Sequence, residues 1–202
     1  MTGALTQQYD RAAGRWRDKM RVLGYYDGYL GFLSAPGQRP EATPDVLDIG
    51  SGAGAFAEAW VAVNGAPRSM TLLDPSRRMM ERGAEALAER GVRAKMLEIT
   101  LEATEAEADE VLVAHVIEHF DDPAEALSLI RKRVRPGGRL RLVVSKPHWC
   151  NAIIWLQWRH RTFGSEEIRD LLARTGFTVE MEYAFPAGPP SRTSRGLVAR
   201  PV

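Results

Sequence analysis

The sequence predicts a doubly wound α/β domain whose sheet is mostly parallel. Three short apolar runs, at 45–49, 69–73 and 111–115, have the length and composition of buried strands. Segments of helical character lie between and after them, and strands that alternate with helices are typical of parallel sheets. The chain has 202 residues, 45% of them hydrophobic and 26% charged, which is enough for one compact domain and too little for two.

The predicted elements of the first half follow one another with short connections. Residues 1–36 carry apolar side chains at mostly helical spacing, so we expect an N-terminal helical lid on a single domain that spans 1–202. The central elements are predicted as strand 45–49, helix 54–63, strand 69–73, helix 76–90, strand 93–98 and strand 111–115. An acidic stretch at 102–110 is predicted to be a solvated loop or short helix.

Capping and turn residues mark the second half of the chain. The segment 122–125, Asp-Pro-Ala-Glu, offers an N-cap acid, a proline at the first helical position and a glutamate at the third, which predicts a helix from about 123 to 133. The segment 136–138, Pro-Gly-Gly, is predicted to turn the chain into a strand. The remaining elements are predicted as strand 139–144, helix 165–174 and two final strands at 177–185 and 195–200.

The most informative local feature is a glycine run directly after the first strand. That strand carries one acid, Asp48, and leads into Gly50, Gly52 and Gly54 at alternate positions. Glycines let a strand turn sharply into a helix, and they let a ligand approach bare backbone amides because no Cβ blocks the way. We therefore expect a polar ligand at this turn.

The second strand ends in another acid, Asp74. An acid at that position of an α/β sheet typically accepts hydrogen bonds from ribose hydroxyls. Two glycines and a small third residue, Gly50, Gly52 and Ala55, also satisfy the dinucleotide-binding pattern. The glycine run alone leaves the choice between these nucleotide ligands open, although 202 residues leave little chain for the separate substrate domain of a dehydrogenase.

Two later segments narrow the choice between these nucleotide ligands. The run 111–114 continues into His-Val-Ile-Glu-His-Phe-Asp-Asp-Pro at 115–123, and Arg-Pro-Gly-Gly at 135–138 precedes another strand. Taken in order with the two earlier motifs, these segments resemble class I S-adenosylmethionine-dependent methyltransferases, in the small-molecule branch that includes the ubiquinone and menaquinone methyltransferases. The resemblance covers roughly residues 44–183. It implies a Rossmann-like, seven-stranded sheet that is mostly parallel and ends in a C-terminal antiparallel hairpin.

The resemblance also implies a role for each part of the strand ends in holding S-adenosylmethionine. Backbone amides of the glycine turn would contact the aminoacyl portion, the acid of the first strand would order the turn or hold the ammonium through water, and Asp74 would accept both ribose hydroxyls. Glu98 stands where the family more often has aspartate followed by a small residue. The residues implied in cofactor binding are Asp48, Gly50, Ser51, Gly52, Gly54, Asp74, Pro75, Glu98, Ile99 and His115.

Chemistry is expected on the loop that follows the fourth strand. His119 is the candidate general base, because a histidine removes a proton near neutral pH without special tuning; the alternative is a structural role in helix capping or packing. The acceptor is expected to be a small molecule that is methylated on oxygen, nitrogen or activated carbon, in cofactor or secondary metabolism. Aromatic and cationic residues that suit a flat or acidic acceptor are Tyr9, Trp16, His148, Trp149, Arg159 and His160.

Three alternatives use the same residues differently. The segment 115–119 spells the H-x-x-E-H pattern of inverted zinc peptidases, which requires a helix through these residues. A basic run at 131–141 is suited to an RNA or protein substrate, although a helix end favours cations anyway. A protein of the same fold that binds S-adenosylmethionine without methylating is the third alternative.

Composition indicates the expected compartment and the expected partners of the protein. The formal net charge is +1, so no global field draws the protein to nucleic acid. Cys150 is the only cysteine, which excludes an internal disulfide and a thiolate metal cluster within one chain. No apolar stretch reaches the ~20 residues that span a membrane. We expect a cytoplasmic enzyme with no metal, no nucleic-acid partner and no membrane span.

Overall fold

The computed structural model describes residue 18 and residues 20–148 and 161–202, and these form a seven-stranded sheet. The strand order is β3-β2-β1-β4-β5-β7-β6. The first five strands pair in parallel, whereas β7 is antiparallel to both of its neighbours. The strands are β1 (Asp45–Ile49), β2 (Ser69–Leu73), β3 (Ala94–Leu97), β4 (Ala108–Ala114), β5 (Val134–Ser145), β6 (Phe177–Tyr183) and β7 (Ser194–Pro201). The predicted fold class is confirmed.

Helices cover both faces of the sheet. They are α1 (Tyr25–Leu33), α2 (Ala55–Asn64), α3 (Arg77–Ala88), α4 (Pro123–Arg131), α5 (Ser165–Arg174) and α6 (Gly188–Thr193), with 3₁₀ turns at Leu101–Ala103 and Ile117–His119. One apolar layer lies between the sheet and α1 to α3, and the other lies under α4 and α5. Because parallel strands are buried on both faces, their carboxyl ends form the edge where polar side chains can reach a ligand.

The helix starts follow the predicted capping chemistry. Asp122 Oδ1 accepts hydrogen bonds from the amides of Ala124 (2.8 Å) and Glu125 (3.3 Å), and proline opens α4. Ser76 Oγ accepts from the Met79 amide at 3.2 Å and caps α3. These bonds satisfy amides that the first helical turn leaves without a partner in the helix.

Several predicted boundaries need correction. The helix predicted to reach 133 ends at Arg131, and β4 runs over 108–114 rather than 111–115. The predicted turn at 136–138 lies inside β5, because a register shift opposite 108–110 absorbs the extra residues and Gly137 adopts a left-handed φ of 77°. The acidic stretch is not wholly solvated, since Glu110 is buried against Arg141 on β5.

The N-terminal lid is described only in its last part. Within it, α1 packs against α2 and buries Tyr26, Tyr29, Phe32 and Leu33 in the core. Residues 1–17 lie outside the described part, so the lid stays a prediction. No helix among the described residues is both long and apolar enough to cross a membrane.

Two glycines set the distance between α2 and α3. A Cβ added at Gly54, where φ is +74°, would lie 2.6 Å from Gly83 Cα, and one added at Gly83 would lie 3.0 Å from Gly54 Cα. The start of α2 therefore touches the middle of α3 backbone to backbone. This contact fixes the direction in which the chain leaves the glycine turn.

We expect Gly83→Ala to lower the free energy of unfolding by about 1–3 kcal/mol, since the added methyl group meets backbone that must move. Helix propensity alone predicts the opposite sign, a gain of about 1 kcal/mol. Urea denaturation measures the sign. An unchanged or raised stability would show that the two helices separate at little cost.

Candidate cofactor and acceptor site

The glycine turn is held against the end of β2. The amides of Gly50 and Ser51 both donate to Leu73 O, at 2.7 and 3.1 Å. Gly50, Gly52 and Gly54 have φ values of 63°, 50° and 74°, which other residues rarely adopt. The turn therefore requires glycine, and its amides lie at the carboxyl edge of the sheet.

Asp74 links the turn to the start of α3. Its Oδ2 accepts from the Gly52 amide at 2.9 Å, and its Oδ1 accepts from the Ser76 amide at 2.8 Å. A carboxylate has about four acceptor positions and can accept from more than two donors. Pro75 is half-buried beside it. The geometry suits a carboxylate that organises the turn and also meets ribose hydroxyls.

Asp48 is the unusual group of this edge. Its side chain is buried, and its Oδ2 has no hydrogen-bond partner among the described residues. Burial raises the pKa of Asp48 to about 8; the Ala57 amide opposes that rise and the charge of Asp74 adds to it. A buried carboxyl with an unsatisfied oxygen is costly unless a cation compensates it. The ammonium group of S-adenosylmethionine has the required charge.

The end of β3 reaches the same edge. The Asp74 amide donates to Leu97 O at 3.3 Å, which places the two residues after β3 near Asp74. Glu98 is exposed and lies 3.8 Å from Arg77 Nη1, and Ile99 is half-buried. Their roles toward the adenine stay predictions.

The loop after β4 brings three of its side chains together. His115 has a φ of 58°, and its Nδ1 lies 3.3 Å from Glu118 Oε1. Desolvation by burial lowers the pKa of His119, while the charge of Glu118 opposes this and the charge of His115 adds to it. A Cβ added at Gly50 would lie 2.4 Å from Val116 Cγ2, so this loop directly contacts the glycine turn.

The loop has the wrong backbone for the zinc alternative. The H-x-x-E-H pattern needs a helix through 115–119, but His115 is left-handed and only the single 3₁₀ turn Ile117–His119 follows. The helix that the zinc interpretation requires is therefore not formed at residues 115–119.

The predicted acceptor residues are mostly beyond the described part of the chain. His148 is half-buried just after β5. Tyr9, Trp16, Trp149, Arg159 and His160 lie outside the described residues. Residues that the sequence analysis missed are Tyr25, Ser145 and Ser194, which contact His115, and Thr193, which contacts Tyr25. Only Ser145 gave a signal, since it ends a parallel strand.

Comparisons with known proteins identify the family. A family model described as "Methyltransferase domain" matches residues 9–182. This chain belongs to that family. The class I S-adenosylmethionine-dependent methyltransferase predicted from the sequence is confirmed in family, fold and cofactor, and the buried Asp48 oxygen is an observation that fits this cofactor.

One curated protein matches part of this methyltransferase. The chain is 35% identical over 97 residues to the ubiquinone biosynthesis O-methyltransferase of Caulobacter vibrioides. That match covers 46% of this chain and 37% of the relative, so it spans well under half of the relative's length.

Solved structures show the same fold over nearly the whole methyltransferase. The 1,6-didemethyltoxoflavin-N1-methyltransferase of Burkholderia thailandensis, solved with its substrate and S-adenosylhomocysteine, is 21% identical with a TM-score of 0.75, and the match covers 98% of this chain and 87% of that one. The N-methyltransferase NodS of Bradyrhizobium japonicum, solved with S-adenosylhomocysteine, is 19% identical with a TM-score of 0.71, and the match covers 97% of each chain.

Asp48 predicts a pH-dependent stability of the ligand-free enzyme. Because the pKa of Asp48 is raised to about 8 in the folded state, the unfolded chain releases this proton first as the pH rises. Its contribution to stability is complete below about pH 4 and is lost as the pH rises towards about 8. We expect Asp48→Asn to raise the free energy of unfolding at pH 8 by roughly 2–5 kcal/mol and to weaken S-adenosylhomocysteine binding. Urea denaturation of both proteins from pH 4 to 9 measures the difference in their free energies of unfolding. If this difference did not change with pH, the raised pKa of Asp48 would be contradicted.

Replacement of Asp74 is predicted to weaken ligand binding, both directly and through the two backbone amides that it holds. Asp74→Ala is expected to weaken S-adenosylhomocysteine binding about 100-fold, or roughly 3 kcal/mol, because charge-assisted bonds to the ribose are lost. The affinity of Asp74→Asn, which keeps one acceptor oxygen, should lie between those of the wild-type protein and Asp74→Ala. Asp170→Ala on α5, an exposed acid, is the matched control. Equal affinities for all four proteins by isothermal titration would remove Asp74 from the site.

Proposed function

We propose that the protein transfers a methyl group from S-adenosylmethionine to oxygen, nitrogen or activated carbon of a small molecule. The observation that carries the proposal is the contact of the glycine turn with the loop after β4, made by Gly50 and Val116. It sets residues suited to the cofactor next to two histidines suited to proton removal. S-adenosylmethionine supplies an electrophilic methyl group on a sulfonium, so the enzyme's work is mainly positioning and proton transfer.

Known relatives support a small acceptor. The curated relative is named for O-methylation in ubiquinone biosynthesis, and a structural neighbour is named for N-methylation of 1,6-didemethyltoxoflavin. His119, the base predicted from sequence, lies on the loop after β4. With a pKa lowered by burial it is neutral at pH 7, as a base must be.

The charge distribution argues against an RNA or acidic protein substrate. The basic run lies at the start of β5, whereas the glycine turn and the two histidines lie at the carboxyl edge of the sheet. Arg135 pairs with Asp45 at 2.6 Å and with Asp109 at 3.2 Å, and the buried Arg141 pairs with Glu110 at 2.5 Å. Much of this positive charge is neutralised within the fold. A cytoplasmic location remains a prediction from the single cysteine.

Isothermal titration with S-adenosylhomocysteine, with NAD and zinc as controls, tests the cofactor. We expect selective micromolar binding, or roughly 8 kcal/mol. Formation of S-adenosylhomocysteine with a panel of phenols, amines and aromatic acids then tests the reaction. Binding without turnover of any small acceptor would favour the non-methylating alternative, and salt-dependent retention of RNA with turnover on RNA would favour the nucleic-acid alternative.

A further inference from the structure

A cavity of about 360 Å³ lies at the amino edge of the parallel strands, opposite the edge that carries the glycine turn. Its walls are the segments 40–44 and 136–139, the first residues of β4 and the end of β7. Small-molecule sites usually have volumes of roughly 300–1,000 Å³. The cavity is therefore large enough for a small ligand, which would lie at the other end of the strands from the cofactor.

Two arginines lie side by side in one wall of this cavity. Arg139 comes just before Leu140 and Arg200 just after Ala199, and Leu140 and Ala199 are paired across the antiparallel strands β5 and β7. Like charges that face each other on neighbouring strands are destabilising. Glu180 on β6 offsets the repulsion, since its Oε1 lies 2.5 Å from Arg200 Nε and its Oε2 lies 3.8 Å from Arg139 Nε. One carboxylate thus lies beside two guanidinium groups.

These two arginines keep N–H groups that the fold does not use. A guanidinium group has five N–H donors. Arg200 donates from Nε to Glu180 and from Nη1 to Gly137 O at 2.9 Å, and Arg139 Nη1 donates to Gln38 O at 3.2 Å. Among the described residues, these bonds leave Nη2 of both arginines unused. Both side chains line the cavity and are partly exposed, so an acceptor that enters it can use these donors.

Two acids that line the cavity already have their partners within the fold. Glu110 faces Arg141 with both oxygens, at 2.5 Å from Nε and 3.3 Å from Nη2. Asp109 accepts from the Asp45 amide at 2.8 Å and from Arg135 Nη1 at 3.2 Å. Within the described part of the chain, Arg141 Nη1 is even buried without a hydrogen-bond partner. The surroundings of the cavity therefore have spare donors, and these two carboxylates are already engaged.

A third arginine reaches the cavity from the other side. Arg68 precedes β2, and its Nη2 donates to Thr43 O at 2.8 Å. Its guanidinium nitrogens lie 3.7 Å from Asp45 and 3.7 Å from Asp109, so the group lies over β1 and β4, next to β5 in the strand order. One planar carboxylate can be satisfied by a single guanidinium, whereas the oxygens of a phosphate point in several directions. Guanidinium groups on two sides of a cavity therefore favour phosphate.

We propose that this cavity is a second ligand site, which binds a small phosphomonoester through Arg68, Arg139 and Arg200. The phosphate oxygens accept hydrogen bonds from the N–H groups that the fold leaves unused. A water molecule takes up about 30 Å³ in the liquid, so the cavity also has room for an organic part of several atoms. The segment 40–44, which begins and ends with proline, forms the wall against which that part lies. Binding at this site is independent of methyl transfer and of S-adenosylmethionine.

Isothermal titration of the full chain with inorganic phosphate, glycerol phosphate and acetate tests the ligand class. Ionic strength is kept constant with chloride, because salt screens exposed charges. We expect saturable binding of glycerol phosphate with a Kd on the order of 1 mM or below, weaker binding of inorganic phosphate and no saturable binding of acetate. Absence of saturable binding of both phosphate probes overturns the proposal. Acetate that binds as well as glycerol phosphate overturns the choice of phosphate, and inorganic phosphate that binds more tightly overturns the choice of an ester.

Charge variants test the position of the site. We expect Arg200→Gln and Arg68→Gln each to weaken glycerol phosphate binding about tenfold, since each removes charge-assisted donors. Glu41→Gln, which removes an exposed acid of the cavity wall, should strengthen it about twofold. Arg82→Gln on α3, where the arginine is exposed and distant from the cavity, is the matched control and should change nothing. Equal affinities of the wild-type protein and both arginine variants of the cavity overturn the assignment.

Arginine NMR signals and a competition experiment separate this site from the cofactor site. The Nε–H signals of Arg68, Arg139 and Arg200, assigned with glutamine variants, should shift on addition of glycerol phosphate and saturate together, while the signal of Arg82 stays in place. The titration is then repeated with S-adenosylhomocysteine present. We expect the same affinity for glycerol phosphate. Loss of its binding would place the phosphate in the cofactor site and overturn the proposal, as would unchanged signals of the three arginines.

Discussion

The close approach of backbones around the glycine turn is the constraint on which the site depends. Gly54 touches the backbone of α3, and Gly50 leaves room for only the Val116 side chain of the loop after β4. A larger residue at either point would push the glycine turn away from α3 or from the loop that carries the two histidines. Parallel pairing of β1 with β2 and with β4 brings the carboxyl ends of the three strands to one edge, and these close contacts set the spacing of the segments that follow them.

The buried carboxyl of Asp48 lowers the stability of the ligand-free fold and at the same time suits a cationic ligand. A carboxyl that is held neutral until about pH 8 weakens the ligand-free fold at physiological pH. The same unsatisfied oxygen is prepared for a cationic ligand, because no solvent must be removed from it on binding. Asp74 avoids that cost, since two backbone amides already satisfy its oxygens.

The cluster around His115 depends on the one antiparallel strand of the sheet. Ser145 and Ser194 are cross-strand partners of β5 and β7, and their hydroxyls meet opposite nitrogens of the same ring. A purely parallel sheet would end at Ser145 and leave Nε2 without that wall. The C-terminal hairpin therefore forms one wall of the cluster around His115.

The sequence by itself determined the parallel core, the glycine turn, and the two acids near the ends of β1 and β2, because these depend on local patterns such as apolar runs, glycine spacing and helix caps. It also indicated His115 and His119 from the rule that ligands gather at carboxyl ends of strands. Only the tertiary structure decided that Glu118 faces His115, and that Tyr25 and Ser194, which are distant in sequence, surround the same ring. Such contacts arise from strand order and a single left-handed residue, and no local pattern encodes them.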